Sequence, residues 1–336
     1  MKAVGYHACL PINETNALED LTLPDPVPGE RDLLVRVHAV SVNPVDVKIR
    51  QRRAPAEGQA AVLGWDAVGT VEQVGAQVSA FKAGDRVYYA GAIDRPGSNS
   101  ELHLVDERIV AKAPASLDDV QAAALPLTSI TAWELLFDRL RVPVNGGADK
   151  SLLVIGGAGG VGSILIQLAR QLTQLRVVAT ASRESTRQWC LELGAHAVID
   201  HSQPLAQALK DAGIDAVDAV AALTQTSAHY EQIIECLRPQ GQIAIIDDPE
   251  SLDATKLKSK SISLHWELMF TRSLYQTEDM AEQGKLLEKV AQLVDAGRIR
   301  STVNDNFGAI TADNLRRAHA FLESGKAQGK IVLVEF

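Results

Sequence analysis

Cysteine is scarce in this chain. Cys9, Cys190 and Cys236 lie far apart, and no C-x-x-C pair occurs in the 336 residues. That pattern offers no framework for a structural zinc, and each thiol is expected to act as a small buried hydrophobe. Positive charge is also short. Lys and Arg number 33 against 42 Asp and Glu, the net charge is −9, and no basic cluster offsets it. A nucleic-acid partner is therefore not expected. Long apolar runs are missing: the longest candidate, 151–169, is broken by glycines, so no membrane span or membrane partner is expected. The start, Met1-Lys2-Ala3-Val4-Gly5, has a lysine but no apolar core of the kind a secretory signal needs. The expected location is cytoplasmic. Internal repeats and low-complexity segments are absent as well.

What is present suggests about two domains of ordinary globular composition, with 46% hydrophobic and 22% charged residues. The chain is organised around residues 151–163, SLLVIGGAGGVGS. Ser151–Ile155 is a short apolar run rich in β-formers and reads as a buried strand. Gly157, Gly159 and Gly162 follow with G-x-G-x-x-G spacing. Val161, Ile164, Leu165, Leu168, Ala169 and Leu172 then recur with helical period and form one apolar face. In this context Gly157 serves the tight turn, Gly159 the close approach of backbone to a pyrophosphate, and Gly162 the packing of helix on sheet. The N–H groups of the helix start, from Gly160 and Val161 onward, face the phosphates. A merely tight βα turn is the plainer alternative.

The end of the next strand, read as 175–181, distinguishes the two dinucleotides. An NAD site places an acid about 20 residues past the glycines to hold the ribose 2′-hydroxyl. Here stand Ala181, Ser182 and Arg183, with Arg187 one turn further. A hydroxyl and two guanidiniums attract a 2′-phosphate, so NADPH is the expected cofactor. Glu184 is the competing acid if the strand runs further, and a solvated helix start is the plain reading of Arg183 and Arg187.

Residues 1–125 read as mostly β. Strands are expected in 33–42, 63–74, 84–90 and 101–105, punctuated by Gly, Pro, Asn and Asp. From 126 the rhythm changes. A helix is expected over 128–140, then strands at 151–156, 175–181, 196–199, 214–220, 241–246 and 261–268, with helices between the first five. That is a doubly wound parallel sheet. Helices follow at 279–297 and 315–322. The last strand, 330–336, is returned to the N-terminal domain. The expected domains are 1–125 with 270–336, and 126–269.

A β-rich domain interrupted by a nucleotide-binding domain resembles the medium-chain dehydrogenase/reductase superfamily. The resemblance rests on Val42-Asn43-Pro44-Val45-Asp46, Gly64-Trp65-Asp66-Ala67-Val68-Gly69, Phe81–Val87, Ala124–Thr128, Gly156–Gly162 and Gly329-Lys330. It covers nearly the whole chain and lies within the quinone-oxidoreductase branch, near bacterial zinc-type alcohol dehydrogenase-like proteins. It implies an α/β fold with a Rossmann doubly wound parallel sheet and a GroES-like β-rich catalytic domain. It also implies a homodimer whose nucleotide-binding sheets extend one another; the sequence alone says that the sixth strand is an edge needing protection.

The same resemblance places a cysteine zinc ligand where this chain has Asn43. It places a Gly-His-Glu histidine where this chain has Gly64-Trp65-Asp66. Indole cannot ligate zinc and a neutral amide is a poor substitute for thiolate, so no metal is expected. The spacing of His7, His38, His103, His201 and His265 suggests no metal site. Without a Lewis acid, the favoured acceptors are those that spread developing charge over a conjugated system. The expected activity is NADPH-dependent, zinc-independent hydride transfer to quinones or to enals and enones. The alternatives are a zinc-dependent alcohol dehydrogenase with a non-standard site, and a non-catalytic NADPH-binding sensor. Asn43 and Thr128 are the candidate hydrogen-bond donors; their plainer roles are a turn residue and a helix cap. Trp65, Tyr88 and Tyr89 are candidate pocket walls, with at least one tyrosine in the core, and Arg95 centres a candidate pocket lip. Residues 265–270 are expected at the partner subunit or the substrate mouth. Lys330 is expected to approach the cofactor, its alternative being an exposed lysine at a strand start.

Overall fold

A computed structural model describes residues 1–336. Two compact units emerge, Met1–Ile130 with Phe270–Phe336, and Thr131–Met269.

The second unit is a six-stranded, all-parallel sheet. In chain order its strands are Ser151–Ile155, Arg176–Thr180, Ala197–Ile199, Val217–Ala222, Leu237–Ile245 and Ser263–Trp266. In space they run third, second, first, fourth, fifth, sixth. This is the doubly wound order, with its switch point between the first and fourth strands, where crevices for ligands open at the carboxyl ends. The first strand is central: Val154 pairs with Ala179 on one side and Ala221 on the other. Its five residues are all buried, as a strand covered on both faces requires. The helix Gly160–Leu172 lays Ile164, Leu165, Leu168 and Ala169 into the core. The helices Leu205–Asp211 and Thr226–Cys236 pack Leu205, Leu209, Tyr230 and Ile233 against Leu153, Val178, Val220 and Ile243.

The first unit is built on antiparallel pairing. Asp32–Val42 is its spine, flanked by Ala67–Val74, Leu102–Asp106 and, from the far end of the chain, Lys330–Val334. Arg86–Tyr89, Val110–Lys112 and Val303–Asn306 complete the seven-stranded sheet. A smaller sheet orders Glu19–Thr22, Lys2–Tyr6 and Ala61–Val62. Of these, Lys2–Tyr6, Glu19–Thr22, Ala61–Val62, Val110–Lys112 and Val303–Asn306 lie outside the strands expected from the sequence, being short and without clear alternation. The helix Pro44–Arg52 was also unexpected: Asn43 is its N-cap and Pro44 its first residue, a start whose fixed φ suits a helix. The helix expected over 128–140 begins earlier, as Pro126–Trp133, and changes to π geometry over Glu134–Arg139.

Candidate active site

The glycine turn of the second unit is set by backbone geometry. The strand ends at Ile155, and Gly156, at φ +83°, makes the left-handed turn that a side chain would strain. The tight turn assigned from sequence to Gly157 thus falls one residue earlier. Gly157 is small for a different reason: a Cβ there would sit 2.7 Å from the Ala179 Cβ. Gly162 is the point of closest helix approach, since a Cβ would lie 2.4 Å from the Gly156 carbonyl oxygen. Around Gly159, in contrast, the nearest atom to an added Cβ is that same oxygen at 3.4 Å. Open space beside an N-cap glycine is the feature through which a ligand reaches backbone. Thr180 braces the turn from the next strand: its hydroxyl accepts the Gly156 N–H at 3.0 Å and its carbonyl accepts the Gly157 N–H at 3.3 Å. The helix starts at Gly160, so the amides of Gly160, Val161 and Gly162 have no intrahelical acceptor and carry the positive end of the dipole. An anion fits this cradle.

Beside it, the second strand stops at Thr180, and the helix Glu184–Glu192 begins three residues on. Glu184 is therefore the first helical residue, not the strand-terminal acid. Ala181 is buried while Ser182 and Arg183 are exposed. Arg187 lies half-buried under them, its Nη1 3.5 Å from the Ala181 carbonyl oxygen.

The first unit holds a buried polar centre that is fully internal to it. Asn43, Asp46, Asp66 and Lys330 are each 3% exposed or less. Three elements deliver them. Asn43 and Asp46 begin the helix Pro44–Arg52, Asp66 precedes the strand Ala67–Val74, and Lys330 opens the strand Lys330–Val334. The Lys330 ammonium donates to Asp66 Oδ2 at 2.9 Å, to the Val42 carbonyl at 3.1 Å, and to Asn43 Oδ1. Asn43 Nδ2 donates to Asp66 Oδ2 at 2.7 Å and makes longer contacts to the carbonyls of Ser41, 3.3 Å, and Trp65, 3.5 Å. The other Asp66 oxygen accepts the Leu127 N–H, at the start of the helix Pro126–Trp133, at 2.7 Å. Burial leaves the Asp66 carboxyl raised above the ordinary carboxylate range, with Lys330, the Leu127 amide and Asn43 opposing the rise in part. Both its oxygens face donors only, which is the pattern of the ionised form.

Asp46 Oδ2 accepts the Asn43 N–H at 2.7 Å, an acid reaching back over the first turn. Burial pushes its carboxyl up to about 7. No expectation from sequence falls on Asp46 or Asp66, although both lie in the segments Val42–Asp46 and Gly64–Gly69 that carry the family resemblance. The signal was an acid inside an otherwise apolar stretch.

The remaining candidates are also placed. Trp65 is buried, its Nε1 donates to the Ala92 carbonyl at 3.2 Å, and its ring meets Phe270 edge-on at 6.1 Å. The Thr128 hydroxyl makes long contacts to the Leu125 and Ala124 carbonyls, 3.2 and 3.5 Å, one turn back in the chain. It lies inside the helix and not at its cap. Neither tyrosine walls an open pocket. Tyr88 and Tyr89 are both fully buried, the first donating to the Leu287 carbonyl and the second stacked on His103. Arg95 is pinned to Asp32 through two parallel bonds, 2.8 and 3.0 Å. Lys330 is not the exposed lysine of the plain reading.

These donors do not suit zinc. Asn43 Oδ1 and Asp66 Oδ2 already hold an ammonium, and Trp65 presents an indole N–H engaged with a carbonyl. No thiolate or imidazole joins them, and no group of three His, Cys, Asp or Glu side chains converges anywhere in the chain.

A doubly wound sheet inserted in a GroES-like β-rich domain defines a class of oxidoreductases, the medium-chain dehydrogenases/reductases. The alcohol dehydrogenase GroES-like domain model matches residues 29–115, and the zinc-binding dehydrogenase model matches 193–333. A zinc-type alcohol dehydrogenase-like protein of Staphylococcus epidermidis is 40% identical over 99% of both chains. The NADPH-dependent alkenal/one oxidoreductase of Arabidopsis thaliana chloroplasts is 30% identical over 90% of this chain and 72% of its own. A Rhizobium etli structure, provisionally described as a zinc-dependent alcohol dehydrogenase, superposes with a TM-score of 0.96 at 52% identity, covering 100% of this chain and 98% of the other. Escherichia coli quinone oxidoreductase, solved with NADPH, superposes at 0.84 with 26% identity, over 99% of this chain and 100% of that one. The chain belongs to the zinc-type alcohol dehydrogenase-like family of that superfamily.

Proposed function

We propose that the protein is an NADPH-dependent, zinc-independent oxidoreductase that transfers hydride to quinones or other conjugated carbonyls such as enals and enones. The observation that carries this reading is the buried centre of Asn43, Asp66 and Lys330, whose charges are paired with each other while the Asn43 amide keeps one hydrogen on long contacts only. Such a centre offers a carbonyl a hydrogen bond but no Lewis acid. A plain ketone concentrates charge on one oxygen as it takes hydride, whereas a conjugated acceptor spreads it and needs only modest donors.

Within this reading the reduced nicotinamide supplies the hydride when bound. Gly157, Gly159, Gly160, Val161 and Gly162 hold the pyrophosphate through backbone and helix dipole. Ser182, Arg183 and Arg187 hold the 2′-phosphate, a role supported by the absence of an acid at the strand end. On the acceptor side, the long contacts of Asn43 Nδ2 and of the Thr128 hydroxyl mark the donors easiest to redirect toward a developing oxyanion. Trp65 supplies a rigid apolar wall. Names of relatives agree in kind: the Arabidopsis protein is an alkenal/one oxidoreductase and the E. coli one a quinone oxidoreductase.

Two comparisons test it. NADPH oxidation is expected with an ortho-quinone, a para-quinone or an enone and not with a simple ketone. Binding of NADPH without turnover of any acceptor would favour the sensor alternative. For the cofactor, Arg183→Ala is expected to raise KM for NADPH by roughly 10- to 100-fold, the worth of one charge-assisted bond, with NADH changed about 2-fold or less. Equal losses for both cofactors would remove Arg183 from the 2′-phosphate site.

A further inference from the structure

Lys330 is the one cation within the buried centre, and its surroundings are unusual for a lysine. Lysine side chains are rarely buried without a partner, because the ammonium loses its hydration. Here the loss is offset three times. An ammonium has three N–H bonds, and Nζ meets three oxygens: Asp66 Oδ2, Asn43 Oδ1 and the Val42 carbonyl. The three come from a carboxylate, an amide and the backbone, the mixed oxygen set that holds a hard cation in other proteins.

The backbone delivers the charge to this point. Gly329, at φ +57°, turns the chain into the final strand. Ile331 pairs with Val42, the Lys330 N–H donates to the Thr302 carbonyl at 2.9 Å, and the Ser41 hydroxyl donates to the Ile331 carbonyl at 2.9 Å. The stem is fixed on both sides, so Nζ has little freedom to leave.

We propose that the Lys330 ammonium is the built-in cation of this centre: it neutralises Asp66, fixes the orientation of the Asn43 amide, and fills the space between Asp66 Oδ2, Asn43 Oδ1 and the Val42 carbonyl that another hard cation would otherwise take. Lys330 is thus a positioning residue. With it in place the centre takes up no zinc. With its side chain cut back, the three oxygens form a vacant site for an ammonium ion of the right length.

Lys330→Ala tests this directly, because n-propylammonium replaces the deleted atoms. The readouts are melting temperature and bound metal, both taken without cofactor or acceptor. The outcome is therefore independent of which substrate the enzyme uses. The variant is expected to melt on the order of 10 °C below the parent, since removing one partner strands a buried carboxylate. Millimolar n-propylammonium is expected to restore at least half of that loss while leaving the parent unchanged. The parent, dialysed against zinc and then buffer, is expected to retain less than about a tenth of an equivalent at this centre. If Lys330→Ala does not fold, the double variant Lys330→Met with Asp66→Asn, which removes both charges, is expected to fold and melt within a few degrees of the parent. Three results would overturn the proposal. They are a parent that binds one zinc lost on Asp66→Asn, a Lys330→Ala protein that melts like the parent or ignores the amine, and a double variant no better folded than the single.

Discussion

At the scale of single residues, Asp46 gives the sharpest pH signature. Its carboxyl is held at about 7 in the fold by burial, well above the ordinary carboxylate range. The folded state therefore binds a proton that the unfolded state releases between about pH 4 and 7. Stability contributed by this group falls as pH rises through that window and stays lost above it, by up to about 4 kcal/mol. His103 and His319 act oppositely. Burial holds them neutral, at about 4 and about 3, so their contribution is present above the ordinary imidazole range and falls away on acidification. Asp46→Asn keeps an oxygen for the Asn43 N–H and removes the charge. Its stability relative to the parent, from denaturant melts, is expected to improve from about pH 4 to 7 and to level off above that. A difference that does not change with pH would show that Asp46 is not protonated in the fold. This centre was only partly legible beforehand. The sequence marks Asn43 and Lys330 only as candidates for ligand contacts. Their mutual bonding, over a separation of 287 residues, is a product of tertiary register that no local pattern records.

Among elements, the strand–turn–helix over 151–172 was the most legible, because strand burial, glycine spacing and helical period all agree there. Its weak point is Gly162. A methyl group there would press on two backbone carbonyl oxygens, at 2.4 and 2.6 Å, which cannot yield as a side chain can. Gly162→Ala is expected to weaken dinucleotide binding at least 10-fold and to cost about 2 kcal/mol or more of stability. Titration calorimetry and thermal melts measure both, and an unchanged affinity would contradict the close-packing role. The elements that were missed share a cause. Lys2–Tyr6, Glu19–Thr22 and Val303–Asn306 are short and lack alternation, and their pairing decides their conformation. The helix Pro44–Arg52 was hidden by its own start: Asn-Pro reads as a turn, and it is equally an N-cap followed by proline.

For the whole molecule, the doubly wound order was legible because apolar strands alternated with helical stretches. The interruption of one unit by the other was legible from the left-over final strand. The sheet ends in Ser263–Trp266, paired only on one side. Trp266 and Leu268 are 52% and 51% exposed there, while Glu267 between them is buried and paired with Arg139. We propose that this edge meets its counterpart in a homodimer. Trp266→Lys is expected to shift micromolar protein from dimer to monomer in sedimentation velocity, and a monomeric parent would contradict the arrangement. No helix of the chain is long and apolar enough to cross a membrane. The central claim is that hydride transfer here runs on hydrogen bonds and acceptor conjugation. Its most direct test is NADPH oxidation by chelator-treated protein with an enone and a simple ketone in parallel, before and after added zinc. The account predicts turnover of the enone alone, unchanged by chelator or zinc. Ketone turnover that is lost with chelator and restored by zinc would contradict it.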